Sequence, residues 1–207
     1  MAILRKHFIV VLNRTFPFKY GELMTMIDEE YNLLKRDVEF SHYSANPMDK
    51  RLDSAAMFLS TFLILEKNGV SFLQLESIAK EIALESMKPK NIFYKVFRKL
   101  RYFLINAGLM NKFIHKLDRR VSVLAHPDGF KAHFILKKKN DNELVFGVDI
   151  LECGICKFFK KHNHLKFATL LCEVDQITSR LNGLELQRSG TIASGALKCD
   201  FRYKRLK

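Results

Sequence analysis

Four cysteines are the residues whose type and spacing best suit this sequence to chemistry, and all of them lie in the last 55 residues. Cys153 and Cys156 form a C-x2-C pair, whereas Cys172 and Cys199 follow singly. Thiolates bind zinc or iron–sulfur clusters and also act as nucleophiles, so the four are a candidate metal-ligand set and at least one is a candidate reactive thiol. A zinc ribbon would show a second close pair. Packing as small buried hydrophobes is the alternative for the rest.

Helical spacing between residues 153 and 181 predicts one long helix with two different faces. Its apolar stripe, which runs from Phe167 to Leu181, is expected to lie on a sheet. The second stripe consists of small and polar residues, namely Ala168, Cys172, Asp175 and Ser179. Lys and Glu would be expected on a solvent-facing stripe, so this one predicts contact with other helices or with a cavity wall.

An arginine on a core-facing position is the other unusual feature. Strand alternation places Arg188 on the same face as Leu186, and an inward guanidinium needs an anion. That anion is Glu152, Asp175 or the carboxylate of a substrate. Near the end of the chain, Asp200 and Arg202 share the opposite face of a strand from Cys199, where a solvated ion pair of little energetic value is the simplest interpretation.

The elements that must position these residues change character near residue 126. Residues 1–125 show helical spacing, and residues 126–207 are predicted to be a second domain in which strands surround the long helix. The predicted helices and strands are Glu22–Lys35, Leu52–Lys67, Phe72–Met87, Asn91–Ala107, Phe130–Lys139, Glu143–Glu152, Cys153–Leu181, Leu184–Ala193 and Leu197–Tyr203. Residues Asn140–Asn142 are predicted to form a short hairpin turn. The fold class is therefore α+β, a helical domain followed by an antiparallel β-β-α-β-β sheet with one long helix packed on it.

Composition excludes several classes of protein. With 207 residues, 48% of them hydrophobic and 28% charged, the chain has enough apolar residues for a core. The apolar stretch 55–65 is too short to span a membrane, and the N-terminus lacks the pattern of a secretory signal, so a cytoplasmic location is expected. Phosphate-binding loops, dinucleotide fingerprints and serine nucleophile elbows are absent from the sequence.

The net charge of +13 is concentrated in residues 88–120, where ten Lys and Arg accompany a single acidic residue, Asp118. Apolar residues recur at helical spacing in the same segment, so an amphipathic helix with a solvated basic face is the simplest interpretation. Because no nucleic-acid-binding motif is present, nucleic acid is an unlikely partner in spite of this charge.

Four motifs in the last third of the chain, taken together, resemble the L-2-amino-thiazoline-4-carboxylic acid hydrolase family. They are Glu152-Cys153-Gly154-Ile155-Cys156, Leu171-Cys172-Glu173-Val174-Asp175, the segment from Leu186 to Gly195, and Cys199-Asp200-Phe201-Arg202. The family shows a Cys before a long helix, C-x-x-D within it, R-T-x-T-L-A-x-G, and a terminal C-D-F. Ser189 and Gly190 depart from the third motif. The resemblance extends over about Val145–Tyr203.

The resemblance implies a hydrolase that opens a C–N bond in a small cyclic amidine bearing a carboxylate and gives an N-carbamoyl amino acid. Cys199 or Cys172 would be the nucleophile and Asp175 the general base or acid, with its pKa raised by burial. Substrate would contact six residues, namely Arg188, Thr191, Gly195, Asp200, Arg202 and Glu152. No cofactor is expected, and a homo-oligomer is possible. Two alternatives stay open: a non-catalytic small-molecule-binding or sensory domain, and a metal or iron–sulfur protein that uses Cys153, Cys156, Cys172 and Cys199.

Overall fold

The computed structural model describes residues 2–88, 111–136 and 144–206, and elements are numbered over these ranges. The helices are α1 Ala2–Thr15, α2 Tyr20–Leu34, α3 Arg51–Lys67, α4 Phe72–Ser86, α5 Asn111–Val121, α6 Gly154–Lys161 and α7 Ala168–Leu181. The strands are β1 Lys131–Leu136, β2 Leu144–Glu152, β3 Leu184–Gln187 and β4 Cys199–Arg205. Short 3-10 helices occupy Lys35–His42, Pro47–Lys50, Leu165–Phe167 and Ile192–Ser194.

Helix α3 lies at the centre of the N-terminal helices. Its side chains are buried on every face from Ala55 to Leu65, which accounts for the long apolar stretch in the sequence. Two polar residues interrupt that stretch, and neither hydroxyl is left without a hydrogen bond. The hydroxyl of Ser60 donates to the carbonyl of Ala56, and the hydroxyl of Thr61 donates to the carbonyl of Met57. None of the helices in the described ranges is long and apolar enough to cross a membrane.

The four described strands form one antiparallel sheet in the order β1-β2-β4-β3. Strand β2 is therefore central, and its residue Ile150 lies opposite Ala132 on β1 and Cys199 on β4. The start of β4 consequently lies beside the end of β2. Helix α6 begins two residues after β2 ends. This register brings the last cysteine close to the C-x2-C pair.

A continuous cluster of buried residues joins the N-terminal helices to the sheet and to α7. Phe167, which is fully buried, stacks on Phe72 with ring centroids 6.2 Å apart and also contacts Phe62 at 5.3 Å. Polar contacts make a second connection, because the side chain of Asn46 donates to the carbonyl of Phe130 and Asp49 accepts from its N–H. The two predicted domains, 1–125 and 126–207, thus share packing.

The predicted α+β class is confirmed. Helices α2, α3 and α4 match predicted segments closely, whereas α1 was not predicted. The predicted helix Asn91–Ala107 and the hairpin turn Asn140–Asn142 lie outside the described residues. The predicted strands Phe130–Lys139 and Glu143–Glu152 are present as β1 and β2. The described part of β1 ends at Leu136.

The single long helix predicted for Cys153–Leu181 is wrong, because α6 and α7 are separate. Asn163 between them has a φ of 63°, a left-handed conformation that Asn tolerates better than most residues and that ends the helix. The predicted strand Leu184–Ala193 is also too long. Strand β3 ends at Gln187 because the Asp200 carboxylate takes up the N–H groups of Ser189 and Gly190.

Candidate functional site

All four cysteines line one small cavity, although they come from different elements. Cys153 precedes α6, Cys156 lies in its first turn, Cys172 is on α7 and Cys199 begins β4. Helix α3 contributes Arg51 to the same wall. The cavity volume is about 30 Å³, which is room for one or two water molecules.

An open groove of about 350 Å³ lies beside the cavity, and this volume suits a small molecule. Cys153 and Cys156 line both spaces, so the pair borders the groove and the small cavity alike. Lys160 lines the groove as an exposed cation, Lys157 lines it in an ion pair with Glu152 of the same lining, and Ile192 belongs to its apolar wall. An anionic ligand in the groove would therefore lie next to the C-x2-C pair.

Cys153 is the cysteine whose surroundings favour the thiolate. Hydrogen bonding from the Cys156 thiol is the largest influence and lowers the pKa of Cys153, and burial acts against it. The N–H groups of Cys156 and Ile155, at the start of α6, and the Arg51 guanidinium lower it further. Together these influences lower the pKa of Cys153. Because Cys153 is half-buried and lines the groove, its sulfur is both activated and within reach of a ligand.

The other three thiols are held in the neutral form. The pKa of Cys156 is raised, chiefly because its thiol donates to Cys153. Burial raises the pKa of Cys172 to about 12. Burial also raises the pKa of Cys199, to about 11. The N–H of Ile192 donates to the Cys199 sulfur at 3.2 Å and lowers this pKa, but by less than burial raises it. Cys172 and Cys199, the predicted nucleophiles, are therefore poorer candidates than Cys153 at neutral pH.

Gly154 allows α6 to begin close to the loop before β1. A Cβ at this position would lie 3.0 Å from the carbonyl oxygen of Asp128 and 3.0 Å from two ring carbons of Phe130. Phe130 is itself only 1% exposed and cannot swing away. The glycine in the C-x2-C segment is thus required by a close approach, and this approach fixes where Cys153 lies.

Asp175 faces the cavity and forms an ion pair with Arg51 across the boundary between the N-terminal helices and α7, at 2.7 Å. Three members of the predicted polar stripe of α7, Ala168, Cys172 and Asp175, line the cavity, as a cavity-wall stripe requires. The fourth, Ser179, is buried and donates to the carbonyl of Asp175. The interpretation of this stripe as a contact with other helices and a cavity wall is confirmed.

Arg188 has neither of the protein partners predicted for it. Its guanidinium donates to the carboxylate of Glu173 and to the carbonyl of Cys172, at 2.8 and 2.9 Å. The sequence argument identified an inward arginine correctly but chose the wrong carboxylate of α7, because Glu173, two positions before Asp175, is the one that reaches it. Glu152 instead accepts from Lys157 at 2.6 Å, at the edge of the groove.

The remaining predicted substrate contacts make structural hydrogen bonds. Asp200 and Arg202 do not pair with each other as expected: Asp200 holds the Ser189–Gly190 turn and Arg202 donates to Asp149. Thr191 caps the short helix that follows, and Gly195 ends it with a φ of 91°. None of these four residues lines the cavity or the groove.

The shared cavity does not make the cysteines a metal site by itself. Within the described ranges, which contain all four of them, no group of three or more His, Cys, Asp or Glu side chains is arranged to hold a metal ion. The four differ instead in their surroundings, which lower the pKa of Cys153 and raise those of Cys156, Cys172 and Cys199.

Sequence reasoning missed the special position of Cys153, the role of Arg51, and the two groove lysines. The C-x2-C spacing was the available signal for Cys153, because a cysteine just before a helix lies at its positive end. Arg51 had no local signal, since it is 102 positions away from Cys153 in the chain.

The fold is α+β, and a cavity lined by four cysteines lies between its antiparallel sheet and a set of helices. The family model for L-2-amino-thiazoline-4-carboxylic acid hydrolase matches residues 75–203, more than half of the chain. The chain belongs to this family. The match begins well before Val145, where the resemblance seen in the sequence began, and so includes α4, α5 and β1. Searches of curated proteins and of solved structures found no match.

Proposed function

We propose that this protein is a hydrolase that opens a small cyclic amidine carrying a carboxylate and releases an N-carbamoyl amino acid. The family supports a reaction of this type. The observation that carries the proposal is the position of Cys153, a thiol with a lowered pKa that lines both a groove of small-molecule size and the small cavity beside it. A free thiolate is stable in a reducing compartment, which agrees with a cytoplasmic location.

The first step of the proposed reaction forms a covalent intermediate. The Cys153 thiolate adds to the amidine carbon of a 2-amino-thiazoline, and the ring sulfur leaves as a thiol after it takes up a proton. The product N-carbamoyl-cysteine retains both nitrogens on this carbon, so the ring bond that breaks is the C–S bond. This corrects the expected C–N cleavage for a thiazoline substrate. One thiolate replaces another at the same carbon, so the exchange has little intrinsic cost.

The second step releases the product. Water adds to the same carbon, the bond to Cys153 breaks with return of the thiolate, and a urea group remains on the amino acid. Asp175 lines a cavity with room for one or two waters and is our candidate for the base that takes the proton from that water. The ion pair with Arg51 holds the Asp175 carboxylate in place.

The carboxylate of the substrate is expected in the groove. Lys160 is exposed there, on the same helix as Cys156 and one turn beyond it, whereas Arg188 is engaged by Glu173 and by a backbone carbonyl. An ammonium group in an apolar groove favours an anion. Lys160 therefore replaces Arg188 as the proposed anchor.

The test is turnover of L-2-amino-thiazoline-4-carboxylate by the purified protein, with N-carbamoyl-cysteine detected by mass spectrometry. We expect Cys153→Ala to lose at least about a thousandfold in rate, as removal of a covalent nucleophile does. The matched control is Cys199→Ala, which removes a buried thiol from the same cavity. Loss of turnover in the Cys199 variant with retention in the Cys153 variant would overturn the assignment. No turnover by the wild type would overturn this substrate.

A further inference from the structure

Cys153 and Cys156 are placed to form a disulfide with each other. Cys153 is the residue immediately before α6, and Cys156 is three positions further on, in the first turn. Side chains at these two positions of a helix N-terminus lie on the same side and reach each other, as in a capping box. Both residues line the same small cavity and the same groove, so the two thiols lie close together there.

The two thiols differ in the way that a directional exchange reaction requires. Both cysteines line the open groove, but Cys153 is half-buried whereas Cys156 is buried, only 7% exposed. A disulfide in the groove therefore reaches Cys153 more readily. The Cys156 thiol is then adjacent to the newly formed bond.

We propose that Cys153 and Cys156 form a redox-active dithiol that exchanges with small anionic disulfides bound in the groove. The Cys153 thiolate attacks one sulfur of the disulfide, the S–S bond breaks, and one thiolate leaves as a mixed disulfide forms. Cys156 loses its proton and attacks the Cys153 sulfur, which releases the second thiolate. The balance is two protein thiols and one disulfide giving a protein disulfide and two small thiols. The protein is oxidised and the small disulfide is reduced.

The groove determines which disulfides are suitable. Its volume of about 350 Å³ accommodates a small molecule or one arm of it, not the surface of a protein. Lys160 supplies an exposed cation, Lys157 is paired with Glu152 of the same lining, and Ile192 and Leu197 provide apolar contacts. A disulfide with carboxylates, of which oxidised glutathione is a convenient probe, matches both the size and the charge.

This activity is additional to the proposed hydrolysis and can be measured without it. The two share Cys153, so oxidation would remove the nucleophile of the hydrolytic reaction and addition of a reductant would restore it. A redox pair does not require that any amidine be a substrate.

The experiment treats the reduced full-length protein with oxidised glutathione and follows the product by intact-mass measurement and peptide mapping. We expect loss of two hydrogens, a Cys153–Cys156 cross-link, and two reduced glutathione molecules released per protein. The matched variant Cys156→Ala should stop at the first step and retain one glutathione on Cys153. Cys172→Ala should behave as the wild type.

Three results would overturn the proposal. They are no reaction under conditions that oxidise a reference dithiol, a cross-link that involves Cys172 or Cys199, and a stable glutathione adduct on Cys153 in the wild type. Hydrolysis is assayed on the same reduced samples. Disulfide exchange without amidine turnover would support the redox proposal and overturn the proposed hydrolase. Amidine turnover without disulfide exchange would support the hydrolase and overturn the redox proposal. A charge test uses Lys160→Glu, which should slow exchange with oxidised glutathione about tenfold more than it slows exchange with a neutral disulfide; equal slowing of both would remove the charge of the groove from the proposal.

Discussion

Replacement of Gly154 by alanine should displace the start of α6 and the thiol pair with it. The new Cβ would meet the Asp128 carbonyl oxygen and the Phe130 ring at 3.0 Å, whereas comfortable contacts between heavy atoms begin at about 3.5 Å. The helix must therefore move by roughly half an ångström. Overpacking of this kind costs about 1–3 kcal/mol, and the helix preference of alanine returns at most about 1 kcal/mol.

The net expectation for Gly154→Ala is a loss of about 1–2 kcal/mol in the free energy of unfolding. For a chain of this length that lowers the melting temperature by roughly 2–8 °C. A displacement of about 1 Å in a catalytic group can cost a hundredfold in rate, so the smaller shift here should cost about tenfold in turnover and in the alkylation rate of Cys153. Denaturant unfolding, turnover and alkylation with iodoacetamide measure the three effects.

Gly21 provides the matched control, because a Cβ there would have no atom within 4 Å. Gly21 lies in α2 on the surface, so Gly21→Ala should be neutral or stabilise by up to about 1 kcal/mol and leave Cys153 unaffected. The reasoning fails if Gly154→Ala is as stable as the wild type and its Cys153 reacts at the same rate.

Three further changes test other parts of the account. Phe167→Ala should cost about 3–5 kcal/mol in denaturant unfolding, because this fully buried ring joins α7 to the N-terminal helices; a loss under about 1 kcal/mol would refute that packing. Asp149→Asn should flatten the acid side of the stability profile. Burial raises the pKa of Asp149, but hydrogen bonds from Lys198 and Arg202 outweigh this and lower it. The ionised Asp149 therefore stabilises the fold above about pH 4, and this stabilisation is lost as the pH falls through its pKa in the folded protein. If the free energy of urea unfolding falls with acid as steeply in Asp149→Asn as in the wild type, the idea is wrong. Asp175→Asn should slow the second chemical step, so that a substrate adduct accumulates on Cys153 in rapid-quench mass spectrometry; no accumulation would remove Asp175 from that step.

The sequence predicted the architecture well because its signals were local. Helix α2 and strand β2 have periodic apolar residues, α3 has a continuous apolar stretch, and the turn at residues 126–129 marks the change from helix to strand. The break between α6 and α7 was missed because apolar spacing continues through it, and only the left-handed Asn163 ends the first helix. The length of β3 was missed because the side chain of Asp200, from another strand, takes the hydrogen bonds that a strand would make.

The candidate site was predicted in part for the same reason. Helical spacing placed Asp175 and Cys172 on one polar stripe, and the structure shows that stripe lining the cavity. Which cysteine has a lowered pKa depends first on the Cys156 thiol beside Cys153, and then on contacts between distant parts of the chain, such as the Arg51 guanidinium and the burial of Cys199 by the sheet. No spacing rule contains that information.

Competitive alkylation of the four cysteines tests the central claim most directly, since the claim is that Cys153 is the reactive thiolate. The reduced protein is treated at neutral pH with a limiting amount of iodoacetamide, and peptide mapping gives the order of labelling. Cys153 should be labelled first and should remain reactive at pH values below the ordinary thiol pKa of about 8.5. Earlier labelling of Cys172 or Cys199, or equal rates at all four cysteines, would contradict it.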